Sequence, residues 1–292
     1  MAANEYGVLV AVGANGVHDG ALDLAACEAV RRGTGVELIH VVHSLVTAPS
    51  SIEQMQSLDQ TLTRVGREVL TDAAERLRTR LDGRAPVTTE IATGPVAGTI
   101  AVRAADADLL VLERRDTGHG ERLLTMSVST RVAAHTTTPV MVVPEHWRHR
   151  YDEAALPVTV GVDRPLDAPG QVETALVYAR SSGRPLVILH AAWLAEQYQD
   201  LGFRNSTRDM WRHDAERELE LALEKVPDLD TVEVKVDVPW RRPVDALVGA
   251  TKTSYVLVLN RRDEHPLGAH LGPMTRAVLR HAEGPVMIVG RT

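Results

Sequence analysis

The sequence predicts an α/β protein of two tandem domains, each a doubly wound sheet of five parallel strands. Three observations carry that prediction. The chain repeats itself at an offset of about 146 to 150 residues, so that Asp108-Leu109-Leu110-Val111-Leu112-Glu113-Arg114-Arg115-Asp116 answers to Tyr255-Val256-Leu257-Val258-Leu259-Asn260-Arg261-Arg262-Asp263. Such a period is the size of a domain and too long for a solenoid unit. Short runs rich in β-branched residues alternate with helical patterns, as a parallel sheet covered on both faces requires. Finally, 292 residues are enough for two cores of ordinary size.

Each element follows from its local pattern. In the first copy Val8 to Val12 reads as a buried strand and Asp19 to Arg32 as an amphipathic helix stopped by Gly33 and Gly35. A second strand, Val36 to Val42, is followed by a long helix from Ile52 to Leu81. Its stripe of Met55, Leu58, Leu62, Val65, Val69, Ala73, Leu77 and Leu81, spaced at three and four, belongs against a sheet. Thr88 to Ala92, Leu109 to Leu112 and Val140 to Val143 are the remaining strands, separated by helices at Val96 to Ala105 and Ser129 to His135. The second copy repeats the order, with strands at Val158 to Val162, Leu186 to His190, Val232 to Val236, Val256 to Leu259 and Val286 to Val289, and a long helix at Thr207 to Lys225. The predicted domains are residues 1–147 and 156–292. Residues 148–155 form a polar linker, with Trp147 beside it as a packing point between the copies.

Composition narrows the function. A formal charge of −7 and a pI near 5.9 give no basic field for a nucleic-acid backbone, and aromatic residues for base stacking are few. The lone Cys27 sits in a helical pattern and reads as a small buried hydrophobe. There is no run of eighteen apolar residues and no leader pattern at Met1, so the expectation is a cytoplasmic protein that meets no membrane.

In an open α/β sheet, ligands bind beyond the carboxyl ends of the strands where the winding reverses, here between the first and fourth strands of each copy. The loops to read are therefore Gly13 to Asn15 with Glu113 to Ser129, and Asp163 to Pro165 with Asn260 to Thr275. The segments Leu38-Ile39-His40-Val41-Val42, Gly94-Pro95-Val96-Ala97, Ser127-Val128-Ser129-Thr130-Arg131-Val132, Gly161-Val162-Asp163 and Leu189-His190-Ala191-Ala192-Trp193 carry a resemblance to the universal stress protein family in its tandem form. The resemblance implies the adenine-nucleotide alpha-hydrolase-like fold. It also implies a glycine loop for ATP phosphates after the fourth strand, an aspartate after the first, and pairing through the edge of the fifth strand. Val41, Ser127 and Ser129 in copy one, and Asp163, Ala191 and Gly272 in copy two, are the matching nucleotide positions.

The glycine loop departs from that pattern. Its glycine positions fall on Glu113, Asp116 and Met126 in copy one, and on Asn260, Asp263 and Gly272 in copy two, where Pro273 replaces the hydroxyl residue. A phosphate cradle needs bare backbone N–H groups and often positive φ, and a carboxylate about 4 Å from a phosphate oxygen costs roughly 1 to 4 kcal/mol. ATP binding of the family type is therefore expected to be lost in copy one and weak in copy two. Both copies instead carry Arg-Arg-Asp, so Arg114, Arg115, Arg261 and Arg262 are candidates for binding an anion. Alternatively they pair with neighbouring acids, Asp116 and Glu121 or Asp263 and Glu264, and rigidify an empty loop. His119 and His265 lack metal spacing. Ser127 and Ser129 are either phosphate contacts or helix caps, and Asp163 either meets a nucleotide or starts a turn.

The preferred reading is a non-catalytic stress-response protein working through protein contacts, with no cofactor expected. Its domains are expected to pair through Val140 to Val143 and Val286 to Val289, edges that also offer a route to dimerisation of chains. The alternative is an ATP-binding sensor using Asp163, Ala191 and Gly272. A third reading is a nucleotide hydrolase or transferase on the same scaffold.

Overall fold

The apolar runs of the first copy become β1 (Val8–Ala11), β2 (Val36–Val42), β3 (Val87–Thr93), β4 (Leu109–Arg114) and β5 (Val140–Pro144) in a computed structural model. It describes residues 6–43, 52–115, 128–149, 156–193, 205–261 and 271–290. Between these strands lie α1 (Asp19–Arg32), α2 (Ile52–Leu81), α3 (Val96–Ala104) and α4 (Val128–His135). The second copy gives β6 (Val158–Gly161), α5 (Ala168–Ser182), β7 (Leu186–Leu189), α6 (Asn205–Leu223), β8 (Val234–Asp237), α7 (Pro243–Thr251), β9 (Val256–Asn260), α8 (Pro273–His281) and β10 (Val286–Val289). The chain divides into two compact units, Met1–His149 and Arg150–Thr292.

Within the first unit the strands run in the order β3-β2-β1-β4-β5, and within the second β10-β9-β6-β7-β8. The pairings described within each unit are parallel. The order follows from right-handed crossovers: the chain winds one way through three strands, then jumps back to place the fourth beside the first. The switch point therefore lies between β1 and β4, and between β6 and β9. The central strands are apolar on both faces because helices cover both. Leu109, Leu110 and Val111 are wholly buried, each contributing roughly 1.5–3 kcal/mol. β3 and β8 are only partly buried, as strands with a neighbour on one side are.

The sequence-derived bounds of α1 and α2 coincide with the structure. Gly33 ends α1 at φ 66°, and the Thr34 N–H closes onto the Ala29 carbonyl at 3.0 Å, a left-handed stop that glycine takes without strain. Along α2 the stripe is buried only in its second half, at Leu70, Ala73, Ala74, Leu77 and Leu81; Leu58, Leu62, Val65 and Val69 are half-buried. The charged face of α2 is not simply solvated either. Arg76 reaches Asp19 at 2.6 Å and Arg80 reaches Asp23 at 2.5 Å, tying α2 to α1. In copy two the third strand starts two residues later than its apolar run, because Leu229–Thr231 forms a 3-10 turn after Asp228. The helix α6 spans Asn205–Leu223 rather than Thr207 to Lys225, its charged ends carrying no apolar period to mark the boundary.

One single-residue expectation needs correction. Cys27 is half-buried rather than buried, because it faces the segment after β5, where His149 Nε2 lies 3.8 Å from its Sγ. The backbone and ring of Trp147 lie against Gly20 of α1, and any side chain at Gly20 would collide with them. Among the described residues no helix is long and apolar enough to cross a membrane.

Candidate functional site

In copy one, β1 ends in a turn drawn tight by a bond from the Gly16 N–H to the Gly13 carbonyl at 2.9 Å. β4, its neighbour, delivers Glu113 and Arg115 to the same place. Two residues apart on extended chain, they point to one side. Arg115 Nε donates to Glu113 Oε1 at 2.9 Å, and Nη2 donates to the Gly16 carbonyl at 2.5 Å. The absence of a side chain at Gly13 makes this possible, since a Cβ there would lie 3.3 Å from Arg115 Nη2.

Glu113 is 6% exposed, and its other oxygen accepts the His18 backbone N–H at 2.7 Å. His18 immediately precedes α1 and caps it with no side chain of its own, so the carboxylate answers an orphan donor at the positive end of the helix. His18 Nε2 lies 3.5 Å from Glu113 Oε1 and 3.2 Å from Glu145 Oε1. Among the described residues, the switch point of copy one is occupied by the chain's own charges: Glu113 between Arg115 and the α1 terminus, and Arg115 laid over the turn. Arg115 folds back onto Glu113. Arg114, half-buried at the end of β4, accepts the Glu145 N–H on its carbonyl at 2.9 Å. Val41 is buried in β2, and Ser129 is buried inside the first turn of α4 rather than capping it. Ser127, Asp116, His119, Glu121 and Met126 lie outside the described residues.

Copy two builds the same place differently. After β6, Asp163 is exposed and the chain enters a 3-10 turn, Pro165–Asp167, in which Arg164 pairs with Asp167 at 2.6 Å. The residue answering to Glu113 is the neutral Asn260, whose buried Oδ1 has no hydrogen-bond partner. Arg261 is 5% exposed, and its backbone N–H donates to Val289 at 2.8 Å. Gly272 caps α8 at φ −55°, and Pro273 is the first helical residue, so the helix opens without that N–H. Ala191 stands two residues beyond β7. Because β6 lies between β7 and β9, Asp163, Ala191 and the Asn260 end of β9 occupy adjacent strand ends. Arg262, Asp263, Glu264 and His265 lie outside the described residues.

Three contributors were not picked out from the sequence: His18, Gly16 and Glu145. Gly16 and His18 meet Arg115 and Glu113 across as many as 99 residues of chain, a separation no local pattern encodes, and Glu145 joins them through His18. His40 and His190 were also passed over as individuals. Each sets Nδ1 against a carbonyl, Val12 at 2.8 Å and Val162 at 3.1 Å, and since a carbonyl only accepts, Nδ1 carries the proton. Their recurrence in both copies was the available signal. Among the described residues no three His, Cys, Asp or Glu side chains gather as a metal ion would need.

Two parallel doubly wound sheets, each with its switch point between the first and fourth strands, define a tandem α/β protein. The pattern of the Universal stress protein family matches residues 7–144 and again 156–290, and the chain belongs to that family. A universal stress protein of Mycobacterium tuberculosis (strain ATCC 25618 / H37Rv) is 28% identical over 97% of this chain and 94% of its own length. One of Mycolicibacterium smegmatis is 27% identical over 99% and 98%. Among solved structures, a universal stress protein from Archaeoglobus fulgidus DSM 4304 superposes with a TM-score of 0.65 at 16% identity, covering 97% of this chain and 96% of that one, which bears on the fold alone.

Proposed function

We propose that this chain is a non-catalytic stress-response protein that acts through protein contacts, its first switch point closed by its own side chains rather than loaded with ATP. The observation that carries the reading is the Glu113–Arg115 pair laid over the Gly13–Gly16 turn. A phosphate entering there must displace a buried carboxylate from both a guanidinium and a helix terminus, and would itself meet that carboxylate's charge. Among the described residues no nucleophile, base and acid stand together in support of a turnover reading.

Isothermal titration of the full chain with ATP and magnesium tests this. The expected result is no binding in the micromolar range. Micromolar affinity that is lost in Asp163→Ala would overturn it in favour of an ATP sensor built on copy two. A specific observation favours that second reading: the buried Asn260 Oδ1 is an acceptor without a partner at the place where copy one is saturated. For a hydrolase, phosphate release above blank in the same preparation is the deciding signal.

A further inference from the structure

The segment that leaves β5 lies across α1 like a strap. Its near end is held by the Glu145 N–H on the Arg114 carbonyl at 2.9 Å, and it turns through a bond from the Trp147 N–H to the Pro144 carbonyl at 3.0 Å. The Trp147 backbone and ring then rest on Gly20, and His149 Nε2 comes within 3.8 Å of Cys27 Sγ. The strap therefore runs along the helix from Gly20 to Cys27, the only cysteine in the chain.

One side-chain contact ties this strap to the switch point. The Glu145 carboxylate faces His18 Nε2 at 3.2 Å, and Glu113 Oε1 lies 3.5 Å from the same nitrogen. The other charges around His18 have work of their own. Arg115, from β4, is bonded to Glu113. Arg76, from α2, donates to the Val17 carbonyl, and with Arg80 it pairs with Asp19, the neighbour of His18 on α1. The positive end of α1 is answered by Glu113 through the His18 N–H. Glu145 is thus the carboxylate set to answer a charge on the His18 ring, which at 38% exposed exchanges protons with solvent.

Imidazole is the side chain that gains or loses a charge between about pH 5 and 8, and its contact with a carboxylate is an ion pair only while the ring is protonated. Copy two lacks both sides of the arrangement. Counted from the left-handed stops at Gly33 and Gly183, Ala168 answers to His18 and Val177 to Cys27, while Asn260 answers to Glu113. Val177 is 65% exposed where Cys27 is half-buried, so the cover over this helix face is a feature of copy one.

We propose that Glu145–His149 is a pH-sensitive strap, latched over α1 by protonated His18 on Glu145 and loosened when His18 is neutral, so that access to Cys27 follows pH. The proposal is independent of whether copy two holds ATP.

The test compares the full chain with His18→Gln and Glu145→Gln by two readings. Hydrogen exchange with mass spectrometry follows the peptide that contains the strap, and iodoacetamide alkylation follows Cys27. Each is taken as the ratio of variant to wild type at one pH, which cancels the intrinsic rates and any effect of His149 on the thiol. Near pH 5.5 both variants should exchange and alkylate roughly two- to fivefold faster than wild type, as loss of a partly exposed ion pair allows. Near pH 8 the ratios should fall to about one, because wild type is then unlatched as well. Thermal midpoints verify that the variants fold, and Glu145→Gln, which leaves the end of α1 untouched, decides the matter if His18→Gln does not. Ratios of one at both pH values, or equal ratios above one at both, would each overturn the proposal, the second because it marks a contact that packs without switching.

Discussion

The two switch points occupy matching places in the two copies and solve the same local problem in opposite ways. In copy one a charged residue at the end of the fourth strand, Glu113, is neutralised by Arg115 two residues later and by the start of α1. In copy two the matching residue is the uncharged Asn260, and the following turn is closed by a separate pair, Arg164 with Asp167. A buried carboxylate must be answered completely, so copy one has committed its site to internal bonds. A neutral amide carries no such obligation, and copy two keeps an unanswered acceptor there. The Arg-Arg repeat in sequence therefore conceals two different sites.

That contrast predicts unequal costs for equal truncations. Glu113→Ala should destabilise the first unit by about 2–3 kcal/mol, because it strands a half-buried guanidinium and a helix-terminal N–H, whereas Asn260→Ala should cost less than about 1 kcal/mol. Hydrogen exchange followed by mass spectrometry reads each unit separately, and equal loss of protection in both would remove the distinction. A smaller effect is expected at the start of the same turns. Gly13→Val places side-chain atoms against Arg115 and should cost about 1–2 kcal/mol, while Asp163→Ala, on an exposed residue, should stay within about 0.5 kcal/mol. Urea denaturation of the two variants decides it. A neutral Gly13→Val would mean that Arg115 is not held over the turn.

Much of the scaffold was legible because it is written locally. The bounds of α1 and α2 follow from apolar period and from Gly33, and the strands from short β-branched runs with at most two residues of error. The place of the site followed from winding order alone. Its chemistry was only half legible. Arg115 was read against acids that follow it, yet the strand period of two had already placed Glu113 on its side. The contacts with Gly16, His18 and Glu145, like that of His149 with Cys27, join segments far apart in sequence, and no local pattern announces them. In α2 the apolar stripe overstated burial because periodicity gives direction but not the extent of the surface it meets.

The smallest predicted difference lies away from the sites, between the helix pairs that cover them. In copy one α1 and α2 are tied by Arg76 and Arg80 to Asp19 and Asp23, while among the described residues no ion pair joins α5 to α6. The hydrogen bond from Arg76 holds the Asp19 carboxyl below its ordinary value, against a smaller opposing effect of burial, with the charges of Arg76 and Arg80 adding to the lowering. A carboxylate whose pKa is lower folded than unfolded stabilises the fold fully above its unfolded pKa, and loses that contribution as pH falls through the folded value. The first unit should therefore weaken on acidification below the usual carboxylate range, and Asp19→Asn should remove that part of the slope. Because the Asp19 side chain is 49% exposed, solvent screening limits the effect at neutral pH to about 0.5 kcal/mol. Denaturation midpoints of wild type and Asp19→Asn between neutral and strongly acidic pH should converge as pH falls. A constant gap would show that the aspartate acts through packing rather than charge, and the ion-pair difference between the copies would then carry no pH dependence.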